Sequence, residues 1–167
     1  ELYKFRHLLG DKKFDVIFDN IAYNLVDVKE TLKLLDGKIS HYIFTSSIIT
    51  YLSSNYNFEV KEKDWLKGKL NKNWIKKHNY KKIDLNYAKN KRAIEKHLIK
   101  NKKISYTILR LPNVIGKNDF SKKTERLIAY PFNKFNKKIN SEDYIQFIYK
   151  PDLVKIIVKI IENKIFK

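Results

Sequence analysis

Three short apolar runs rich in β-forming residues, FDVIFD (14–19), SHYIFTSS (40–47) and ISYTILRLP (104–112), are separated by segments of helical spacing. No other feature constrains the fold as much. Runs of this length without polar alternation have the look of strands buried on both faces, as in a parallel sheet. Between the first two, VDVKETLKLLDG (26–37) places Val28, Leu32 and Leu35 at helical spacing, with Gly37 as the stop. A second helix is expected from near Asn86 to about Lys100, and Pro112 ends the third strand. Beyond it come a helical signal near 121–130 and a strand-like YIQFIY (144–149). The last helix opens at Pro151 and turns Leu153, Ile156, Ile157, Ile160 and Ile161 inward. Residues 52–84 read as a long loop with a helical turn or two, anchored by Trp65 and Trp74. Strand and helix in alternation predict a doubly wound α/β sheet, here in a single domain over 1–167. Chemistry in such sheets collects at the carboxyl ends of the strands. Asp19-Asn20, Thr45-Ser46-Ser47 and Arg110 to Asn113 stand at those ends.

A net charge of +18 raises the question of a nucleic-acid partner, and residues 60–103 hold 16 Lys/Arg against 4 Asp/Glu. The make-up of the charge argues the other way. Lysine supplies 32 of the cations and arginine 4, beside 22 Ile and 16 Asn. These are residues of A/T-rich codons, and the residue suited to bidentate phosphate or guanine contacts is nearly missing. A solvated surface is the favoured reading of the basic segment. Zero cysteines exclude disulfides and thiolate metal sites, and fit a reducing, cytoplasmic setting. His7, His41, His78 and His97 show no metal-binding spacing, and no run is long enough to span a membrane. The chain starts at Glu1 and has no methionine, so it is expected to be a fragment of a longer protein.

At the head of the second long helix, LNYAKNKRAIEKHLIK (85–100) puts Tyr87 and Lys91 four residues apart. Spacing of i, i+4 sets both on one helical face, in a stripe with Ile94 and Leu98 that should turn toward the protein. A free phenol ionises near 10 and is a poor base at neutral pH. An ammonium beside it favours the phenolate, so Lys91 is expected to lower the Tyr87 pKa. A hydroxyl from the strand end at 45–47 could bond the same substrate oxygen, and three groups would then converge on one carbinol.

The ordered set HYIFTSSIITY, YAKNK, ILRLPNVIGKND and QFIYKPDLV resembles the extended short-chain dehydrogenase/reductases, the NAD-dependent sugar epimerase/dehydratase group. The resemblance covers nearly the whole chain. It implies an α/β, partial Rossmann-like sheet lacking the first βαβ unit, with NAD or NADP as cofactor. It implies that Tyr87 is the general acid or base and that Lys91 holds the nicotinamide ribose. The family serine stands four residues before the tyrosine of an SSxxxY-like strand end, which selects Ser47 over Ser46. Asn20, Ile21 and Ala22 match the strand-end segment that passes the cofactor. Leu111 and Pro112 match the segment beside the nicotinamide, and Asn113 a substrate-contacting asparagine. The implied substrate is a nucleotide sugar or a similar small molecule, and the resemblance allows a homodimer.

Two departures bear on function. The glycine-rich turn that cradles a pyrophosphate is absent, as is the residue that selects NAD or NADP. The chain by itself is therefore expected to bind cofactor weakly or not at all, and the full-length parent to be the enzyme. Sugar 4,6-dehydratases of the family carry an Asp-Glu pair directly after the serine. Here Ile48 and Ile49 stand there and cannot move protons, which leaves an epimerase or a reductase. Two other readings stay open: an RNA-binding relative on the same fold, and an inactive truncated remnant.

Overall fold

The computed structural model describes Lys4 and residues 6–51, 61–62, 82–122, 124–125 and 146–163. Most of the expected loop over 52–84, with Trp65, Trp74 and His78, lies outside these residues, as do the helical signal past 125 and the first two residues of YIQFIY. The chain divides into two compact units, Glu1–Arg110 with Phe166–Lys167, and Leu111–Ile165. No helix among the described residues is long and apolar enough to cross a membrane.

In the first unit a short helix α1 (Arg6–Leu9) precedes β1 (Phe14–Asp19), α2 (Leu25–Leu34), β2 (Ile39–Ser47), a 3-10 turn (Ile48–Tyr51), α3 (Lys82–Lys100) and β3 (Ser105–Leu111), whose last residue falls at the start of the second unit. The sheet order is β1-β2-β3, and β1 runs parallel to β2 with Phe14 opposite Ile39 and Asp19 opposite Phe44. The architecture is α/β and Rossmann-like in part, as the alternating runs predict. β2 is the central strand, and His41, Tyr42, Ile43 and Phe44 are all fully buried.

Local chemistry sets the helix ends. Asn24 caps α2 by accepting from the Asp27 amide at 3.0 Å, and Asp27 adds negative charge to the first turn. Gly37 takes a left-handed φ of 70°, which a side chain would strain, and the chain turns there into β2. α3 begins one turn earlier than its apolar spacing suggests, with Asp84 in its first turn. Its buried stripe is Ala88, Lys91, Ile94, Glu95 and Leu98, at spacings of three and four. Ile94 and Leu98 complete a core with Ala22, Val28, Leu32, Tyr42 and Phe44. Each fully buried Val, Leu, Ile or Phe among them contributes about 1.5–3 kcal/mol. The same stripe thus welds α3 to the sheet and carries two charged groups inside.

The second unit contains β4 (Asn113–Ile115) parallel to β5 (Phe147–Tyr149), followed by α4 (Lys150–Glu162) with proline in its first turn. Apolar spacing on α4 is read correctly at Leu153, which is buried, and at Ile157, Ile160 and Ile161, which are half-buried. Ile156 departs from the expectation at 46% exposed. It sits one step outside the stripe centred on 153, 157 and 160, so the helix turns it to water. Gly116 closes the β4 turn with φ 153°, where an added Cβ would come within 3.1 Å of the Lys150 side chain.

Candidate active site

The site is built from the end of β1 upward. The Asp19 carboxylate ends the strand and folds back on the chain after it. Its Oδ1 accepts from the amides of Ile21 at 3.0 Å and Ala22 at 2.9 Å, and its Oδ2 accepts the Tyr42 hydroxyl from β2. This Asx-type turn pins the segment 20–22 to the sheet. Asn20 and Ile21 stay exposed, Ile21 at 81%, while Ala22 is buried in the core.

Lys91 comes down onto that turn from α3. Its side chain is almost fully buried, and its Nζ donates to the Ala22 carbonyl and the Thr45 carbonyl, both at 2.7 Å. The ammonium stands 4.6 Å from the Phe44 ring centre and 5.5 Å from those of Tyr23 and Tyr87. Burial pulls its pKa down to about 8, against the upward pull of Asp19 and then Glu95. An ammonium has three donors. Two are spent on carbonyls, so among the described residues the third N–H remains for a ligand oxygen such as a ribose hydroxyl. The donor set of Lys91 therefore fits the nicotinamide cofactor that the sequence implies, with Lys91 as the residue that would hold its ribose.

Tyr87, one turn before Lys91, is half-buried against Tyr23, with ring centres 5.9 Å apart. Its phenol is raised above the ordinary value, by burial first and by Tyr23 second, while a hydrogen bond from Ser47 pulls the other way. The expectation that Lys91 lowers the Tyr87 pKa is corrected here. The ammonium is turned onto two carbonyls, and burial with Tyr23, not Lys91, sets the direction of the shift. Ser47 sits where β2 gives way to the 3-10 turn, and its Oγ also accepts from the Ile49 amide at 3.3 Å. That amide occupies a lone pair of the hydroxyl and leaves its proton free to favour the Tyr87 phenolate.

Ser46 points the other way. It is buried and donates to Glu95 Oε1 at 2.5 Å. Glu95 is fully buried and also accepts from Arg110: Nε lies 3.1 Å from both carboxylate oxygens and Nη2 lies 2.9 Å from Oε2. Arg110 Nη1 donates to the Tyr51 hydroxyl at 2.9 Å, and the carboxylate beside it raises the guanidinium pKa against the pull of burial. Four elements thus meet on one buried ion pair directly behind Ser47. Glu95 was missed from the sequence, although its spacing of four from Lys91 put it on the stripe already singled out.

The structure brings Ala22, Ser47, Tyr87 and Lys91 into one cluster. Leu111, Pro112 and Asn113 belong to the second unit. There Asn113 opens β4, and its amide and side-chain nitrogens donate to the Gln146 carbonyl at 3.2 and 3.4 Å. A hollow lined by Gly116, Asp119, Phe120 and Thr124 also belongs to that unit and shares no residue with the Lys91 cluster. No group of three or more His, Asp or Glu among the described residues could hold a metal. His41 is fully buried, with its ring nitrogens 2.8 Å from the hydroxyls of Ser105 and Thr107, and burial lowers its pKa.

The model of the NAD dependent epimerase/dehydratase family matches residues 39–166. No curated protein and no solved structure matches the chain.

Proposed function

The chain belongs to the NAD-dependent epimerase/dehydratase family, and from that premise we propose that Ser47, Tyr87 and Lys91 serve hydride transfer on a nucleotide-sugar-like hydroxyl. One observation supports this above the others. Ser47 and Lys91 approach Tyr87 from different elements, and each is itself fixed by backbone groups. A bound nicotinamide, NAD or NADP, would accept or return the hydride. The residues handle the proton. Because burial raises the Tyr87 phenol, it is neutral at physiological pH and is set to donate to a carbonyl oxygen; in the reverse direction its phenolate takes the proton back. Ser47 has a single O–H, which would turn from the phenol oxygen to the substrate oxygen when that oxygen is bound. Lys91 fixes the ribose through its third donor and places positive charge beside the phenol. Within the first unit, the segment 20–22 would line the cofactor beside Lys91.

Ile48 and Ile49 support epimerisation or reduction over water loss, since neither can act as an acid or base. The test is turnover of a panel of nucleotide sugars with NAD or NADP, followed by nicotinamide absorbance and product chromatography. Tyr87→Phe is expected to cost about 10²-fold or more in rate, in the range for a positioned acid/base, with little change in thermal unfolding. Full turnover in that variant, or a parent protein that neither exchanges hydride nor interconverts any sugar, overturns the proposal.

A further inference from the structure

We infer that Asp19 is a positioning residue of this site: the counter-charge that keeps Lys91 an ammonium and fixes the carbonyl on which it rests. The inference rests on the reading of Lys91 as the residue that holds the ribose.

The geometry runs through one turn. Asp19 accepts from the Ile21 and Ala22 amides, and Ala22 returns its carbonyl to Lys91 at 2.7 Å. Moving the carboxylate therefore moves the acceptor that aims the ammonium. The charge argument follows from what surrounds Lys91. β2 contributes the Thr45 carbonyl and the Phe44 ring, the segment after β1 contributes Tyr23, and α3 contributes Tyr87 and Glu95. Phenols and carbonyls do not neutralise a cation. Glu95 is a full negative charge, but Arg110 already binds both of its oxygens. Asp19 also acts on Lys91, and its partners among the described residues are two amides and the Tyr42 hydroxyl rather than a cation. It is also the larger of the two carboxylate influences that keep the buried lysine protonated. Tyr42 completes the device by holding the second Asp19 oxygen from the sheet.

An isosteric neutral variant isolates the charge. In Asp19→Asn the side-chain oxygen still accepts from the Ile21 and Ala22 amides, and its NH₂ can donate to the Tyr42 oxygen. The experiment follows the Lys91 Cε resonance of the full chain, labelled with ¹³C-lysine, through a pH titration, with assignment by its loss in Lys91→Arg. The parent midpoint is expected near 8. In Asp19→Asn it should fall by about one unit or more, the scale for losing an opposite charge nearby. A shift of about one unit takes the lysine from about nine-tenths protonated at pH 7 to about half. Asp19→Ser, whose hydroxyl can still cap the turn, should give the same fall and carries the test if the Asn variant does not fold.

An unchanged Lys91 midpoint in either folded variant overturns the inference. Loss of fold in both also overturns it, by making Asp19 a structural cap. The reading of Lys91 is judged separately, by turnover at pH 7. If the midpoint falls and turnover stays at the parent level, Asp19 keeps its assignment and the role given to Lys91 fails. If both fall together, and turnover recovers in acid as the lysine regains its proton, both stand.

Discussion

Replacing Arg110 by methionine should be among the most damaging single changes in the first unit, and its size can be worked from the Glu95 pair. The Glu95 side chain has no exposure and the Arg110 side chain 13%. Among the described residues, removing the guanidinium takes away every charged donor that reaches Glu95 and leaves the carboxylate with the Ser46 hydroxyl. Stranding one member of a buried pair costs about 3–5 kcal/mol. That is a large share of the roughly 5–15 kcal/mol that holds a domain together. At about 2–4 °C per kcal/mol for a chain of this size, the melting point should fall by about 6–20 °C. Glu95→Leu should cost less, about 2 kcal/mol, because Arg110 keeps the Tyr51 hydroxyl and a path to water. In the double variant neither charge is stranded. With a coupling of about 3 kcal/mol, it should be more stable than Arg110→Met alone by about 1 kcal/mol. Urea unfolding of the four chains closes the cycle. Simple addition of the two single effects, or a cost for Arg110→Met below about 1 kcal/mol as for an exposed pair, refutes the reasoning.

Two further predictions concern pH. Lys91 titrates near 8 in the fold against 10.5 free, so between those values the unfolded chain holds a proton that the folded chain has released. The stability difference between the parent and Lys91→Met should therefore rise with pH across about 8 to 10.5; a flat difference in urea melts contradicts it. His41 is depressed by burial, so the stability it allows is present above 6.5 and lost as pH falls through the lower folded value. Melting from about pH 7 to about pH 5 should show a loss that His41→Gln largely removes, and equal acid sensitivity in both chains speaks against the assignment.

The elements were legible because their physics is local. Apolar runs of six to nine residues between helical spacings mark β1, β2 and β3 in the sequence, and the i, i+4 stripe places Tyr87 and Lys91 on the inward face of α3. The cap at Asn24 and the left-handed turn at Gly37 follow from side-chain chemistry within a few residues. Partner choice inside the core was not legible. Lys91 bonds carbonyls 69 and 46 residues away in sequence, and Glu95 meets a guanidinium 15 residues on across a helix-to-strand turn. Such pairings depend on which strand ends lie side by side in the folded sheet, and spacing along the chain does not encode that.

The sign of the Tyr87 pKa shift shows what this difference means for function. Spacing alone makes Lys91 the agent that lowers the phenol. The structure gives the lysine a different occupation, bound to two carbonyls and balanced by Asp19, with Ser47 as the group that opposes the effect of burial on the phenol. The proton of Tyr87 is then governed from the β2 strand end, and the charge of Lys91 from the β1 strand end. A tyrosine and a lysine one turn apart on a helix take on separate duties because the sheet beneath them presents a hydroxyl to one and a carboxylate-pinned carbonyl to the other.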